Sequence, residues 1–317
     1  MIICDPDPLP NNVLEIVERW EQRENGRLFG LITSGLPLQQ PEISRLLVRQ
    51  VRRECKGFEK VETLDVILDS GGGDADATYQ LVTFLRSRCN HLRVFVPDWA
   101  KSAATLFCLG ADEIWMSATA ELGPLDAQIQ DPRNPQEMLV SALEQFRAMD
   151  YLKQYSFEML DTYVGVLLRR APAMRLRDVI KEATPFVTQL LASLYGQVDP
   201  LHFGGSYRSL QVAVEYGQRL MARYAYRDWD GGRIEQLVNA LTWAYPGHSF
   251  VLDQGEVERL GLYVHSLEGE REVEADEIIG HVRVWVGFVE SKPENASQEK
   301  IERGGENNGQ QTKSSQK

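Results

Sequence analysis

The sequence is short of the features that reveal a function at once. Its four cysteines, Cys4, Cys55, Cys89 and Cys108, are scattered, with no CxxC pair and no histidine at metal-ligand spacing beside them. Neither a disulfide framework nor a zinc site is signalled, and free or buried thiols in a reducing compartment are expected. No stretch approaches the roughly 18 consecutive apolar residues of a membrane-spanning helix, so no membrane span is expected. The start, Met1 to Pro8, lacks the basic and apolar regions of a secretory signal, and a cytoplasmic location is expected. Basic charge is scarce as well: 34 Lys and Arg face 46 Asp and Glu, a formal net charge of −12. That balance argues against nucleic acid or an anionic membrane as main partner, since both attract Lys and Arg. The glycine run Ser70-Gly-Gly-Gly-Asp74 has neither the GxGxxG spacing of a dinucleotide site nor the Lys-Ser/Thr of a P-loop. No cofactor and no metal are expected, and there is no internal repeat.

What is present suits a folded enzyme-sized chain of 317 residues, 43% hydrophobic and 25% charged. Residues 1–25 form an N-terminal helical arm, with Val13, Ile16, Val17 and Trp20 on one side of a helix over Asn12–Arg23. Residues 26–130 alternate: a strand within Gly26–Gly35, a helix over Pro41–Cys55, a strand over Thr63–Asp69, a helix over Ala75–Cys89, a strand over His91–Pro97, a helix from Ser102 and a strand over Asp112–Ser117. Short links between strands and helices imply an α/β fold, a mostly parallel sheet with right-handed βα crossovers. Function in such sheets sits at the carboxyl ends of strands. Residues 131–244 are a helical region with helices in Gln136–Leu168, Arg175–Tyr195 and Ser209–Ala225, punctuated by Pro172, Pro185 and Pro200. Residues 245–290 return to the core, through a short strand in Tyr245–Asp253, then a helix and a last strand within Glu256–Val264. Residues 291–317 read as a disordered tail.

Two turns carry chemistry. Ser102 could cap the helix that follows it. It could also act as a nucleophile, because Ala103 and Ala104 are small enough to leave its hydroxyl and the Ala103 N–H reachable at the positive end of the helix dipole. The Ser70–Asp74 glycines could serve a tight turn of positive φ, or turn backbone N–H groups toward a ligand oxygen as an oxyanion hole requires. Together the two turns suggest acyl transfer.

The series Ile67–Asp74, Ala100–Leu106 continuing through Gly110–Met116, and Glu121-Leu-Gly-Pro-Leu-Asp-Ala-Gln-Ile129 resembles the serine dehydrogenase proteinase family. These are relatives of signal peptide peptidase A in the Clp/crotonase superfamily. The resemblance extends to Val198-Asp-Pro200 with Gly204 and Arg208, to Tyr245–Asp253 and to Leu260–Val264. It implies a ClpP/crotonase-like fold, a serine peptidase mechanism on a peptide or protein substrate, and a homo-oligomer. Ser102 matches the family's nucleophile, and the N–H groups of Gly72 and Ala103 match its oxyanion hole. A Clp-type triad would put a histidine near position 126 or 127, where this chain has Asp126 and Ala127. The general base is therefore open between Lys153, which is otherwise a solvated helix lysine, and His248, which is otherwise a structural histidine near a strand start. Asp126 could orient His248 or close the Gly123–Pro124 turn, and Lys101 is assigned an electrostatic or structural role. Two alternatives share the fold: a crotonase-type acyl-CoA thioester enzyme and a non-catalytic oligomeric scaffold.

Overall fold

The structure is a computed structural model that describes residues 3–33, 43–126, 128–129 and 140–289. The tail and the first residues of the helix expected from Gln136 lie outside that set. In chain order the first half runs β1 (Ile3–Asp5), α1 (Asn11–Glu24), β2 (Arg27–Ile32), α2 (Arg45–Glu54), β3 (Val61–Asp69), α3 (Ala75–Arg86), β4 (Cys89–Val96), β5 (Trp99–Ala100), α4 (Ala103–Cys108), β6 (Glu113–Met116) and β7 (Glu121–Leu122). The second half runs β8 (Gln128–Ile129), β9 (Val140–Ser141), α5 (Ala142–Arg170), α6 (Leu176–Tyr195), α7 (Pro200–Arg223), α8 (Gly231–Asn239), α9 (Gln254–Leu260), β10 (Val264–Ser266), α10 (Glu270–His281) and β11 (Val284–Phe288).

Among the described residues the central sheet has seven strands in the order β1-β11-β2-β3-β4-β6-β10. From β2 to β10 the neighbours are parallel, and β11 runs antiparallel to both β1 and β2. This is the expected mixed α/β architecture. Alternating side chains of each strand feed two cores, because successive residues of a strand point to opposite faces. Phe29, Leu31, Val66 and Val94 pack with α2, α3, α4 and α8. Leu28, Ile32, Ile67 and Phe95 pack with α1 and α10 on the other face. The sheet is thus buried on both sides, which explains the near-continuous apolar run of β3.

The helix expected over Arg175–Tyr195 is α6, with Pro185 inside it. Other elements differ from the sequence expectation. Pro200 opens α7 at its first turn, where the missing N–H costs nothing, and Asp199 caps that helix through Leu201 N–H at 2.9 Å. The α7 helix therefore starts ahead of the expected Ser209. The stretch Tyr245–Asp253 is not a strand: Pro246 and Gly247 turn it, and Leu252 alone makes an antiparallel bridge, to Leu122. Beyond Val264 the chain adds α10 and β11, and β11 inserts beside β2 with Trp285 over Gly30.

Candidate active site

The chain reaches Ser102 through β5, which pairs with β7 and continues the bridge from Ala100 to Ser70. It leaves through α4. Ser102 sits between them at φ 52 and ψ −116, a region that a residue with a Cβ occupies only when its surroundings force it. The surroundings do so on both sides. Lys101 N–H donates to Ser70 O at 3.0 Å, and Ala104 N–H donates to Lys101 O at 2.8 Å. Thr105, fully buried, bonds the carbonyls of Ala100 (2.7 Å) and Gly123 (2.9 Å). The Ser102 side chain makes no capping bond to α4. Its hydroxyl donates instead to Asp126 O at 2.5 Å. A strained serine on a strand-to-helix turn is the arrangement that presents a nucleophile.

The glycine turn faces this elbow. Gly72 (φ 106) presses against it so closely that a Cβ would lie 2.6 Å from Lys101 O and 2.9 Å from Ala103 N. Its own N–H is engaged, donating to Ser70 Oγ at 3.1 Å. Gly73 (φ 145) comes next and lines the same cleft as Ser102 and Ala103. Its backbone is fixed by Ile43, whose N–H donates to Gly72 O at 2.8 Å and whose carbonyl accepts from Asp74 N–H at 2.9 Å. Among the described residues neither the Gly73 nor the Ala103 N–H has an acceptor.

Asp126, fully buried, joins the two remaining segments. Its backbone oxygen receives the Ser102 hydroxyl. Its carboxylate accepts Leu143 N–H at the start of α5 (3.0 Å) and stands 3.2 Å from Nδ1 of His248. The His248 loop follows a π-helical turn at Ala240–Ala244, and Leu241 O of that turn accepts Leu125 N–H at 3.0 Å. Such single π turns recur beside functional sites. The sequence left Asp126 open between orienting His248 and closing the Gly123–Pro124 turn, and the contact with His248 fits the first. Lys153, the other candidate base, is exposed on α5, and neither it nor His248 is among the residues lining the Ser102 cleft. Ala127 lies outside the described residues. Cys108, buried in α4, has its thiol pushed up by burial, which removes the thiolate a cysteine nucleophile needs.

The cleft has a volume of about 240 Å³. Leu106 and Leu125 supply apolar walls, Asp74 and Asp76 its acidic side, and Val212 and Ala213 of α7 close it from the helical region. Among the described residues no group of three or more His, Cys, Asp or Glu side chains is arranged to hold a metal ion. Among the same residues no helix is long and apolar enough to cross a membrane.

The chain is 30% identical over 148 residues to an uncharacterized protein of Methanocaldococcus jannaschii, MJ0137, a match covering 47% of this chain and 46% of that one. A second uncharacterized protein of the same organism, MJ1495, is 29% identical over 133 residues, covering 42% and 40%. The chain thus spans under half the length of these relatives. No solved structure matches it. Residues 41–161, which hold the glycine turn, the Ser102 elbow and Asp126, match the ClpP-like SDH-type serine proteinase family.

Proposed function

We propose that the chain is a serine peptidase in which Ser102 forms an acyl-enzyme, His248 is the general base and Asp126 orients it. The observation that carries this is the strained Ser102 at φ 52, its hydroxyl turned away from capping and into a cleft. The Asp126 to His248 contact favours His248 over the exposed Lys153. In the reaction, Ser102 Oγ leaves Asp126 O and attacks the scissile carbonyl carbon while His248 takes its proton. The oxyanion is held by two backbone N–H groups. The open donors of Gly73 and Ala103 favour that pair over Gly72 with Ala103, since the Gly72 N–H already serves Ser70. Collapse expels the amine with the proton from His248, and water then releases the acid by the same steps.

The reading extends to assembly and location. The α5 and α6 helices expose Tyr151, Phe157, Ile180, Phe186 and Leu190, more apolar surface than a lone chain usually leaves in water. This supports a homo-oligomer acting on peptide or protein substrates. The four free cysteines fit a reducing, cytoplasmic setting.

The test is labelling of the purified protein with a fluorophosphonate probe. Wild type and Lys153→Ala are expected to label, whereas Ser102→Ala does not and His248→Gln and Asp126→Asn label at least about 100-fold more slowly. A folded wild type that never labels would return the chain to the thioester-enzyme or scaffold alternatives.

A further inference from the structure

Next to the strained serine lies a buried cation that the mechanism above does not use. Lys101 is 5% exposed, and its Nζ is held 2.9 Å from Glu121 Oε1, 3.2 Å from Leu122 O and 3.3 Å from Phe250 O. These partners belong to separate segments. Lys101 itself begins the Ser102 elbow. Glu121 and Leu122 form β7, which leads into the loop bearing Asp126. Phe250 lies two residues beyond His248. One ammonium therefore ties together the three stretches that carry the serine, the carboxylate and the imidazole.

The packing of the lysine stem is as specific as the bonding of its head. A Cβ on Gly123 would stand 2.6 Å from Lys101 Cδ and 3.4 Å from its Cα. The stem thus occupies the space that any larger residue at 123 would need. Ammonium is suited to this place because it offers three donors and, among the described residues, meets three acceptors, one of them charged. Burying it unpaired would cost heavily, so the three partners and the cation hold one another in a single arrangement.

We infer that Lys101 is a positioning residue for His248: it holds the 248–250 loop, and with it the imidazole, in place against the Ser102 elbow. It touches neither substrate nor the reacting atoms and acts through the histidine. The inference rests on His248 being the base. The charge of Lys101 and that of Glu121 lie on segments bordering the histidine, beside which Asp126 stands at 3.2 Å. Removing the cation leaves the Glu121 carboxylate and favours imidazolium, whereas removing the carboxylate leaves the ammonium and disfavours it.

The experiment is the pH dependence of the fluorophosphonate labelling rate for wild type, Lys101→Met and Glu121→Gln, each checked for cooperative unfolding and unchanged oligomeric size. Methionine keeps the stem that fills the space at Gly123. Lys101→Met is expected to label about tenfold or more slowly, with its rate midpoint moved to higher pH, and Glu121→Gln to move the midpoint to lower pH. A purely structural lysine would not give opposite shifts. If Lys101→Met does not fold, the Glu121→Gln shift alone decides. Wild-type rates and midpoints in the folded variants would overturn the positioning role while leaving the peptidase reading intact. Absence of labelling in wild type would overturn both.

Discussion

At the scale of single residues the most informative angle is the φ of 52 at Ser102. Ser102 is the N-cap of α4, a position that already tolerates glycine better than alanine. The positive φ adds to that order. Ser102→Ala and Ser102→Gly both lose the hydroxyl bond to Asp126, but only alanine keeps the strain, so the glycine variant should be the more stable by about 1 kcal/mol. Urea unfolding of the two inactive variants measures this, and an alanine variant equal or superior in stability would mean that the elbow relaxes. The serine itself was legible in the sequence, as a hydroxyl after a strand followed by two alanines. Which glycine N–H of the run opens toward it was not legible. That depends on φ values of 106 and 145 at Gly72 and Gly73 and on the pairing of Ile43, which lies far back in the chain. The contact of Asp126 with His248 was left open for the same reason, since no local pattern encodes a pairing across 122 positions of loop and helix.

Among the elements, α1 and α10 are tied to the sheet by charge as well as by apolar packing. Glu24, at the end of α1, accepts from Nε and Nη2 of Arg271 at 2.8 Å each and lies 3.1 Å from Arg93 of β4. Arg93 in turn holds Asp65 of β3 at 2.7 and 2.8 Å, and Trp20 of α1 donates to the same carboxylate at 2.8 Å. Burial pushes the Glu24 carboxyl up, but the bonds from Arg271 and Arg23 and the charge of Arg93 outweigh it and hold it down to about 2. A carboxyl lowered in the folded state stabilises above its ordinary range and loses that contribution as pH falls toward 2. Asp65 has the opposite sign, raised by burial despite Arg93, so it opposes part of the loss. Glu24→Gln is therefore expected to flatten the fall of the urea midpoint between about pH 5 and pH 2, removing about 2 kcal/mol of pH-dependent stability. An unchanged acid slope would show the cluster to be solvated. The alternation from β2 to β6 was readable because each strand and helix has its own period and glycine or proline stops. By contrast β1, α10 and β11 were not assigned, since Val284–Phe288 becomes a strand only by entering between β1 and β2. Tyr245–Asp253 looked like a strand from its apolar residues, yet Pro246 and Gly247 give it the turn that brings His248 to Asp126.

At the scale of the whole molecule, the helical region does two jobs. Through Val212 and Ala213 of α7 it walls the cleft, and through α5 and α6 it presents an apolar groove of about 430 Å³ lined by Phe157, Leu160, Val187 and Leu191. If that groove is where copies meet, light scattering after size exclusion should give a mass of at least two chains for wild type, and Phe157→Glu, at an exposed lining residue, should lower it. A wild type that runs as a single chain at micromolar concentration would remove the groove from assembly. The sheet order has a consequence of another kind. Because β11 lies between β1 and β2, a chain growing from the ribosome cannot complete its sheet until residue 288 has emerged. Until then β2 keeps an open edge and Gly30 faces no Trp285, so the nascent protein carries an unpaired strand that invites chaperones or neighbouring chains.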